Sequence, residues 1–350
     1  MTGALSAARV RRWLPWLGAV LGLAGLVWVL RGFDLERFRT IAAGADLWLL
    51  AVVPASVLAE QLVRAWKWRQ LLHPLRTIPV LRLFGTIMAG YLLAILVPLG
   101  FGTIARSWLV ARREGVPLPG VLATVALDRL TDGLVFVCLV PLALLSVVID
   151  DPTGGIRAGL LWGGAGSFIL FALGLLALVA LRRGVPNGGR LDRLLQRLLQ
   201  RLPQRLAASL RRITAAFAQG IVWPAGPWRG AGIVAASVAI KLLAATHLLW
   251  AGLAIGVTLQ PAQYLFLLVF LGFVAILGHF LRFVGSFVVG GVFALGLFGV
   301  QPEPALAMVL LVEMVGILCV AAVGALALWA QGVALSELRR EQGQAGLAAG

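Results

Sequence analysis

Long apolar runs constrain this chain more than any other feature of its sequence. A helix of about 20 apolar residues is long enough to cross the hydrocarbon core of a bilayer. Runs of this length lie near residues 14–30, 47–63, 121–149, 158–181, 231–256 and 304–330. With 61% hydrophobic residues, the 350-residue chain carries more apolar surface than one water-soluble core can bury. The sequence therefore predicts an all-α polytopic membrane protein whose first run is a retained signal-anchor helix.

Two further apolar segments are broken near their middles. The breaks contain Pro98, Gly100 and Gly102 in segment 78–113, and Arg282 and Gly285 in segment 264–299. After each break the sequence repeats at a spacing of 184 residues, with five identities in eleven positions starting at Gly115 and Gly299. Broken helices at matching positions of two halves indicate the binding site of a transporter. We expect two re-entrant helical hairpins in an inverted repeat; the alternative is that both segments cross fully and are only kinked.

Basic residues predict the orientation of the chain in the membrane. Segment 182–229 holds ten arginines against one acid, and residues 64–76 are also basic, so both are expected on the cytoplasmic side. Both termini would then be cytoplasmic, in the cytoplasmic (inner) membrane, with hairpins of opposite orientation. The predicted organisation is one membrane domain over 1–335, with halves of about 47–181 and 231–332, a basic connector over 182–230 and a cytoplasmic tail over 336–350.

The connector contains an amphipathic segment at 190–217. Its leucines form an apolar helical face, while arginines recur every four residues from Arg193 to Arg205. A net charge of +16 would suggest nucleic acid in a soluble chain, but here the excess lies beside membrane spans. We therefore expect this helix to lie on an anionic lipid surface, so that the partners are membrane lipids. The alternative is that it docks a lipid-biosynthetic enzyme. Trp66 and Trp68 are expected in an interfacial aromatic belt.

Several charged side chains fall inside the apolar segments, where each costs at least about 2.5 kcal/mol. The cations are Arg106, Arg129, Lys241 and Arg282, and the acids are Asp128, Asp132 and Glu313. Because the cations outnumber the acids, we expect them to hold an anionic group such as a lipid phosphate. The acids would orient these cations or carry protons. The alternative is that opposite charges pair across the two halves, since Glu313 matches Arg129 in the repeat.

Motifs of catalysis are missing from the sequence. It contains no G-x-S-x-G, no H-E-x-x-H and no P-loop, and its three histidines are scattered. We therefore expect neither an enzyme nor a metal or cofactor site. A membrane glycosyltransferase that uses Asp128 and Asp132 stays open as an alternative.

Three stretches resemble a known family. They are 64–72 (RAWKWRQLL), the first break from Pro98 to Arg106, and Ala123-Thr124-Val125 followed by Asp128, Arg129 and Asp132. Together they resemble the flippase-like transmembrane region of lysylphosphatidylglycerol synthases, over about residues 10–335. The resemblance implies translocation of a lipid between leaflets. It also implies a stand-alone member, because no aminoacyl-transferase domain is expected after residue 335.

The chain departs from that family at three acidic positions. Members usually carry Glu where this chain has Thr103 and Asp128. Glu is also expected after the second break, where Gly290 or Gly291 stands. The choice of lipid and any proton coupling through these positions would both be affected.

Overall fold

All regular structure in the described part of the protein is helical. The computed structural model describes residues 33–96, 101–149, 151–184, 204–223, 225–281 and 285–330, with isolated positions before residue 33. This part contains eleven helices and no strand. They are α1 (Leu35–Ala43), α2 (Leu47–Leu72), α3 (Val80–Leu96), α4 (Phe101–Glu114), α5 (Leu118–Ser146), α6 (Gly155–Gly184), α7 (Gln204–Gly220), α8 (Pro227–Ala254), α9 (Pro261–Leu281), α10 (Ser286–Gly296) and α11 (Pro302–Ala330). The predicted all-α class is confirmed.

Six of these helices are long and apolar enough to cross a membrane. They are α2, α5, α6, α8, α9 and α11. Five of them overlap the runs predicted from residue 47 onward, and the protein is a multi-pass membrane protein. The sixth, α9, is the first arm of the second broken segment, which we predicted as part of a re-entrant hairpin. The run predicted at 14–30 lies largely outside the described residues.

Both broken segments form a pair of packed helices, and glycines bring the two arms together. In the first pair, a Cβ on Gly102 of α4 would collide with the carbonyl oxygen of Gly90 on α3 and lie 2.6 Å from the Cβ of Ala94. In the second pair, a Cβ on Gly290 of α10 would lie 2.7 Å from Cγ1 of Val274 on α9. Only a glycine therefore fits these contacts without displacing the opposite arm.

The helices follow the same order in two parts of the chain. The set α2 to α5 begins at residues 47, 80, 101 and 118, and the set α8 to α11 begins at 227, 261, 286 and 302. In both sets a long helix is followed by the two arms of a hairpin and a second long helix. Gly115 and Gly299, the matched glycines of the sequence repeat, both have a positive φ (65° and 76°) and precede the last helix of their set.

The described residues divide into two compact units. The first contains residues up to Glu60, Gly133–Leu170 and Val238–Gly316. Its apolar core includes Leu267 and Leu271 of α9, Val292 and Leu295 of α10, and Met308 of α11. Within this unit α1 begins at its cap Asp34, whose side chain accepts hydrogen bonds from the backbone of the first turn.

The second unit contains Gln61–Asp132, Phe171–Ser237 and residues from Ile317 onward. Its apolar core includes Trp68 and Leu71 of α2, Ile87 of α3, Val125 of α5 and Ile233 of α8. Each unit thus combines segments of both predicted halves. The halves stay a prediction about the repeat and are not themselves the compact units.

We expect Gly102→Ala to lower the free energy of unfolding by about 1–3 kcal/mol, the usual effect of inserting a methyl group into a filled space. The physical reason is the collision with Gly90 and Ala94. The thermal midpoint of the purified protein in detergent would measure the change. Gly166→Ala is the matched control, because its Cβ would meet nothing within 4 Å. Equal midpoints for the two variants would contradict the close packing of this hairpin.

Candidate anion-binding site

A cluster of buried charged side chains lies in the second unit, where α2, α4 and α5 contribute to it. Arg64 and Lys67 lie one turn apart on α2, and Asp128 and Asp132 lie one turn apart on α5, so each pair shares one helix face. Arg106 on α4 completes the cluster. All five residues are buried, and Lys67 and Asp128 are 0% exposed.

Lys67 and Asp132 are the most completely paired members. Nζ of Lys67 donates to Oδ1 of Asp132 at 2.5 Å and to the backbone oxygen of Asp128 at 3.1 Å, and it lies 3.0 Å from Oδ1 of Asp128. The second oxygen of Asp132 accepts a hydrogen bond from Nη1 of Arg64 at 3.0 Å. Both oxygens of Asp132 therefore have a cationic partner.

Arg106 is paired far less well than the other two cations. Its nearest carboxylate oxygen is Oδ2 of Asp128, 3.7 Å from Nη2, which is beyond hydrogen-bonding distance. None of its three side-chain nitrogens has a hydrogen-bond acceptor among the residues that the structure describes. The guanidinium instead lies over the ring of Trp68, with Cζ 4.9 Å from the ring centroid. The indole is itself fixed, since Nε1 of Trp68 donates to Oγ1 of Thr124 at 3.0 Å.

The cluster carries an excess of one positive charge, because three cations (Arg64, Lys67, Arg106) face two carboxylates (Asp128, Asp132). The pairing localises this excess. Arg64 pairs closely with Asp132, and Lys67 pairs closely with Asp132 and with Oδ1 of Asp128, so Arg106 is the cation of this cluster with the longest ion pair. A buried guanidinium without acceptors is costly unless a further anion pairs with it. The arrangement can therefore bind one anionic group beside Arg106.

Three of the predicted site residues are thus brought together, namely Arg106, Asp128 and Asp132. Arg129 follows Asp128 on α5 and is exposed. Its positive charge interacts electrostatically, as a like charge, with Arg106. Gly102 lies on the same hairpin arm as Arg106. Pro98, Gly100 and Arg282 lie outside the described residues. For Arg129 and Arg282, binding of a head group stays a prediction.

The other predicted residues belong to the first unit. Nζ of Lys241 lies 5.4 Å from the ring centroid of Phe136, a cation–π contact. Glu313 is partly buried on α11, and Gly285 precedes α10 with a φ of 82°. This unit also contains a weak pair of Glu60 with His247, whose Oε2 and Nε2 atoms are 3.7 Å apart.

The site contains three residues that were not predicted for it, namely Arg64, Lys67 and Trp68. The positive charges of Arg64 and Lys67 were interpreted as signals of orientation, and Trp68 was predicted to lie in an interfacial belt. That placement of Trp68 was wrong, because α2 continues to Leu72 and Trp68 is 0% exposed. The spacing of Arg64, Lys67 and Trp68 was the available signal, since positions i, i+3 and i+4 share one face of a continuing helix.

The cluster lies within the part of the sequence that matches a known family. A sequence profile described as lysylphosphatidylglycerol synthase TM region matches residues 16–324. The chain belongs to this family. Membership connects it with lipid-related processes in a membrane. No curated protein and no solved structure matches the chain.

Gly290 and Gly291 stand where the family resemblance leads us to expect Glu, and their surroundings leave little room for a side chain. A Cβ on Gly291 would lie 2.6 Å from Cγ2 of Val309, and a Cβ on Gly290 would press on Val274. A longer acidic side chain at either position would have to displace one of these valines. The second hairpin of this member therefore packs with apolar contacts where an acid is expected.

We expect Asp132→Ala to lower the free energy of unfolding by roughly 3 kcal/mol or more, because removing one partner leaves buried cations unpaired. Asp132 pairs with Arg64 and Lys67 at once. The thermal midpoint in detergent would report the loss. Glu114→Gln is the control, since Glu114 pairs with Arg82, whose side chain is 51% exposed, and such pairs contribute at most about 1 kcal/mol. Equal effects of the two variants would contradict a structural role for the buried pairs.

Proposed function

We propose that this protein moves an anionic phospholipid, or a polyprenyl-phosphate-linked lipid, across the cytoplasmic membrane by binding its head group at Arg106. One observation carries the proposal: Arg106 is 2% exposed, and its guanidinium lies on a tryptophan ring and has no hydrogen-bond acceptor in the described part of the chain. Membership of a lipid-related membrane family supports the same function.

The chemistry of arginine fits such a ligand. A guanidinium presents five N–H donors in a planar fork, which matches two oxygens of a phosphate. In a medium of low dielectric constant this interaction is stronger than in water. The acids would have the role of orienting the cations, since Oδ1 of Asp128 faces Lys67 and Oδ2 of Asp128 faces Arg106.

The hairpins offer a route for the head group. We propose that α3 with α4, and α9 with α10, enter the membrane as re-entrant hairpins of opposite orientation. The second arms, of 14 and 11 residues, would be about 21 and 16 Å long, which is shorter than a hydrocarbon core of about 30 Å. The matching helix order of the two sets supports an internal repeat, and the opposite orientation that we propose for the hairpins would make this repeat inverted. Non-helical backbone at such depth needs a protein-lined or wet cavity.

Glycosyl transfer by Asp128 and Asp132 is the weaker alternative. Holding a metal-bound sugar nucleotide requires carboxylates that are available to the metal. Here both oxygens of Asp132 and one oxygen of Asp128 face Arg64 or Lys67. The proposed function is therefore transport without a metal or cofactor.

Helix α7 is the proposed contact with the anionic lipid surface. Leu206, Leu210 and Ile213 form an exposed apolar stripe, and the next residue of the stripe, Phe217, packs against the core of the second unit. The exposed Arg211 and Arg212 lie away from this stripe on the helical wheel. Residues 190–203 of the predicted amphipathic segment lie outside the described residues. Apolar burial beside arginines is typical of a helix on an anionic leaflet, so α7 would face the cytoplasm.

We expect Arg106→Gln to slow the exchange of anionic lipid between leaflets at least about tenfold, because a charge-assisted pair contributes about 1.5–3 kcal/mol. The measurement is dithionite quenching of acyl-labelled phosphatidylglycerol in liposomes that hold the purified protein, with labelled phosphatidylcholine in parallel. Arg82→Gln is the matched control on the same hairpin, because Arg82 pairs with Glu114 outside the cluster. Unchanged exchange in the Arg106 variant would overturn the proposed function.

A fluorophore at position 206 tests the docking of α7. In a background with Cys138 and Cys319 replaced by alanine, a label on Leu206→Cys should be quenched by brominated anionic lipid in nanodiscs. The same label on Ala208→Cys, on the opposite and exposed side of α7, should be quenched much less. Equal, water-like emission at both positions would contradict membrane docking and favour an accessory subunit that binds a lipid-biosynthetic enzyme through α7.

A further inference from the structure

We propose that Lys67 is a positioning residue that keeps Asp128 from neutralising Arg106, and so sets the affinity of Arg106 for an anionic head group. This inference rests on the proposed function, because it concerns the same site. It adds a role for a residue that touches no ligand. Lys67 would act only through Asp128.

The geometry divides Asp128 unequally between two cations. Nζ of Lys67 lies 3.0 Å from Oδ1 of Asp128 and also binds the backbone oxygen of that residue. Nη2 of Arg106 lies 3.7 Å from Oδ2. Lys67 thus donates two hydrogen bonds and forms a close ion pair with Asp128, while the N–H donors of Arg106 have no acceptor among the described residues. Lys67 holds the carboxylate in place, and Arg106 is left with the excess charge.

Removal of the Lys67 charge changes which partner Asp128 has. Asp132 would keep Arg64, at 3.0 Å, but Asp128 would keep only Arg106. Opposite charges attract strongly in a medium of low dielectric constant, so this pair would close to hydrogen-bonding distance. An incoming anion would then have to displace a carboxylate from Arg106. The affinity would fall although Arg106 itself is unchanged.

Two explanations of such a loss are separable by double variants. If the net charge of the cluster decided the affinity, any second substitution that removes an acid would restore it. If the sharing of Asp128 decides it, Lys67→Met with Asp128→Asn would restore binding, since Arg64 and Asp132 stay paired and Arg106 has no competitor. Lys67→Met with Asp132→Asn would stay weak, because Asp128 still faces Arg106. Both double variants carry the same net charge.

The experiment is a binding titration of acyl-labelled phosphatidylglycerol with the full-length protein in detergent, and labelled phosphatidylcholine is the reference. We expect Lys67→Met to weaken binding of the anionic lipid at least about tenfold, the effect of one charge-assisted pair. The Asp128→Asn double variant should return to within about threefold of the original protein. The Asp132→Asn double variant should stay at least about tenfold weaker. Rescue by both double variants, or by neither, would overturn the inference.

Two further variants keep the result decisive. If Lys67→Met fails to fold, Lys67→Gln decides, since it keeps an N–H donor for Asp128 but carries no charge, and it should bind the anionic lipid at least about tenfold more weakly. Unchanged or tighter binding would contradict the inference. Arg106→Gln tests the proposed function separately. If that variant loses anionic binding while Lys67→Met retains it, the proposed site stands and only the role of Lys67 is wrong. If Arg106→Gln binds like the original protein, the site itself is wrong.

Discussion

The paired carboxylates of α5 and the cations of α2 determine how the second unit is arranged. Asp132 joins Lys67 and Arg64, and Lys67 reaches back to both the side chain and the backbone of Asp128. These contacts fix the register of two helices and place one oxygen of Asp128 toward α4. Buried ion pairs are seldom more stabilising than apolar packing of the same volume. Their presence in an apolar protein therefore points to a role in the site rather than to stability alone.

Close glycine packing between α3 and α4 allows α4 to place Arg106 in the cluster. A Cβ on Gly90 would lie 2.8 Å from the Cβ of Arg106, and Gly102 sits against the backbone of α3 one turn earlier. The close approach of the two arms brings the guanidinium over Trp68. The glycine contacts that hold the arms of the first hairpin together thus also position Arg106.

The fold was largely predictable because the span-forming runs and their breaks are properties of local sequence. Long apolar runs predicted five of the crossing helices, and Pro and Gly predicted both breaks. The length of α9 was not predicted, since it depends on a helix start at Pro261 that a central break does not reveal. In the site, depth in an apolar run indicated Asp128, Asp132 and Arg106. Lys67 and Arg64 were missed because a positive charge near the end of a run also fits a loop. Their helical spacing with Trp68 favoured a continuing helix, but their carboxylate partners on α5 become evident only from tertiary pairing.

Under the proposed function, the contact of Arg106 with Trp68 bears on how a bound lipid would be released. A transporter that grips its ligand with a cation must also let it go, and turnover suffers when the empty cation collapses into a strong internal bond. An aromatic face supports a guanidinium without occupying its N–H donors. The same support is present whether a ligand is bound or absent. Loading and unloading would therefore require no rearrangement of hydrogen bonds within the described protein around this arginine.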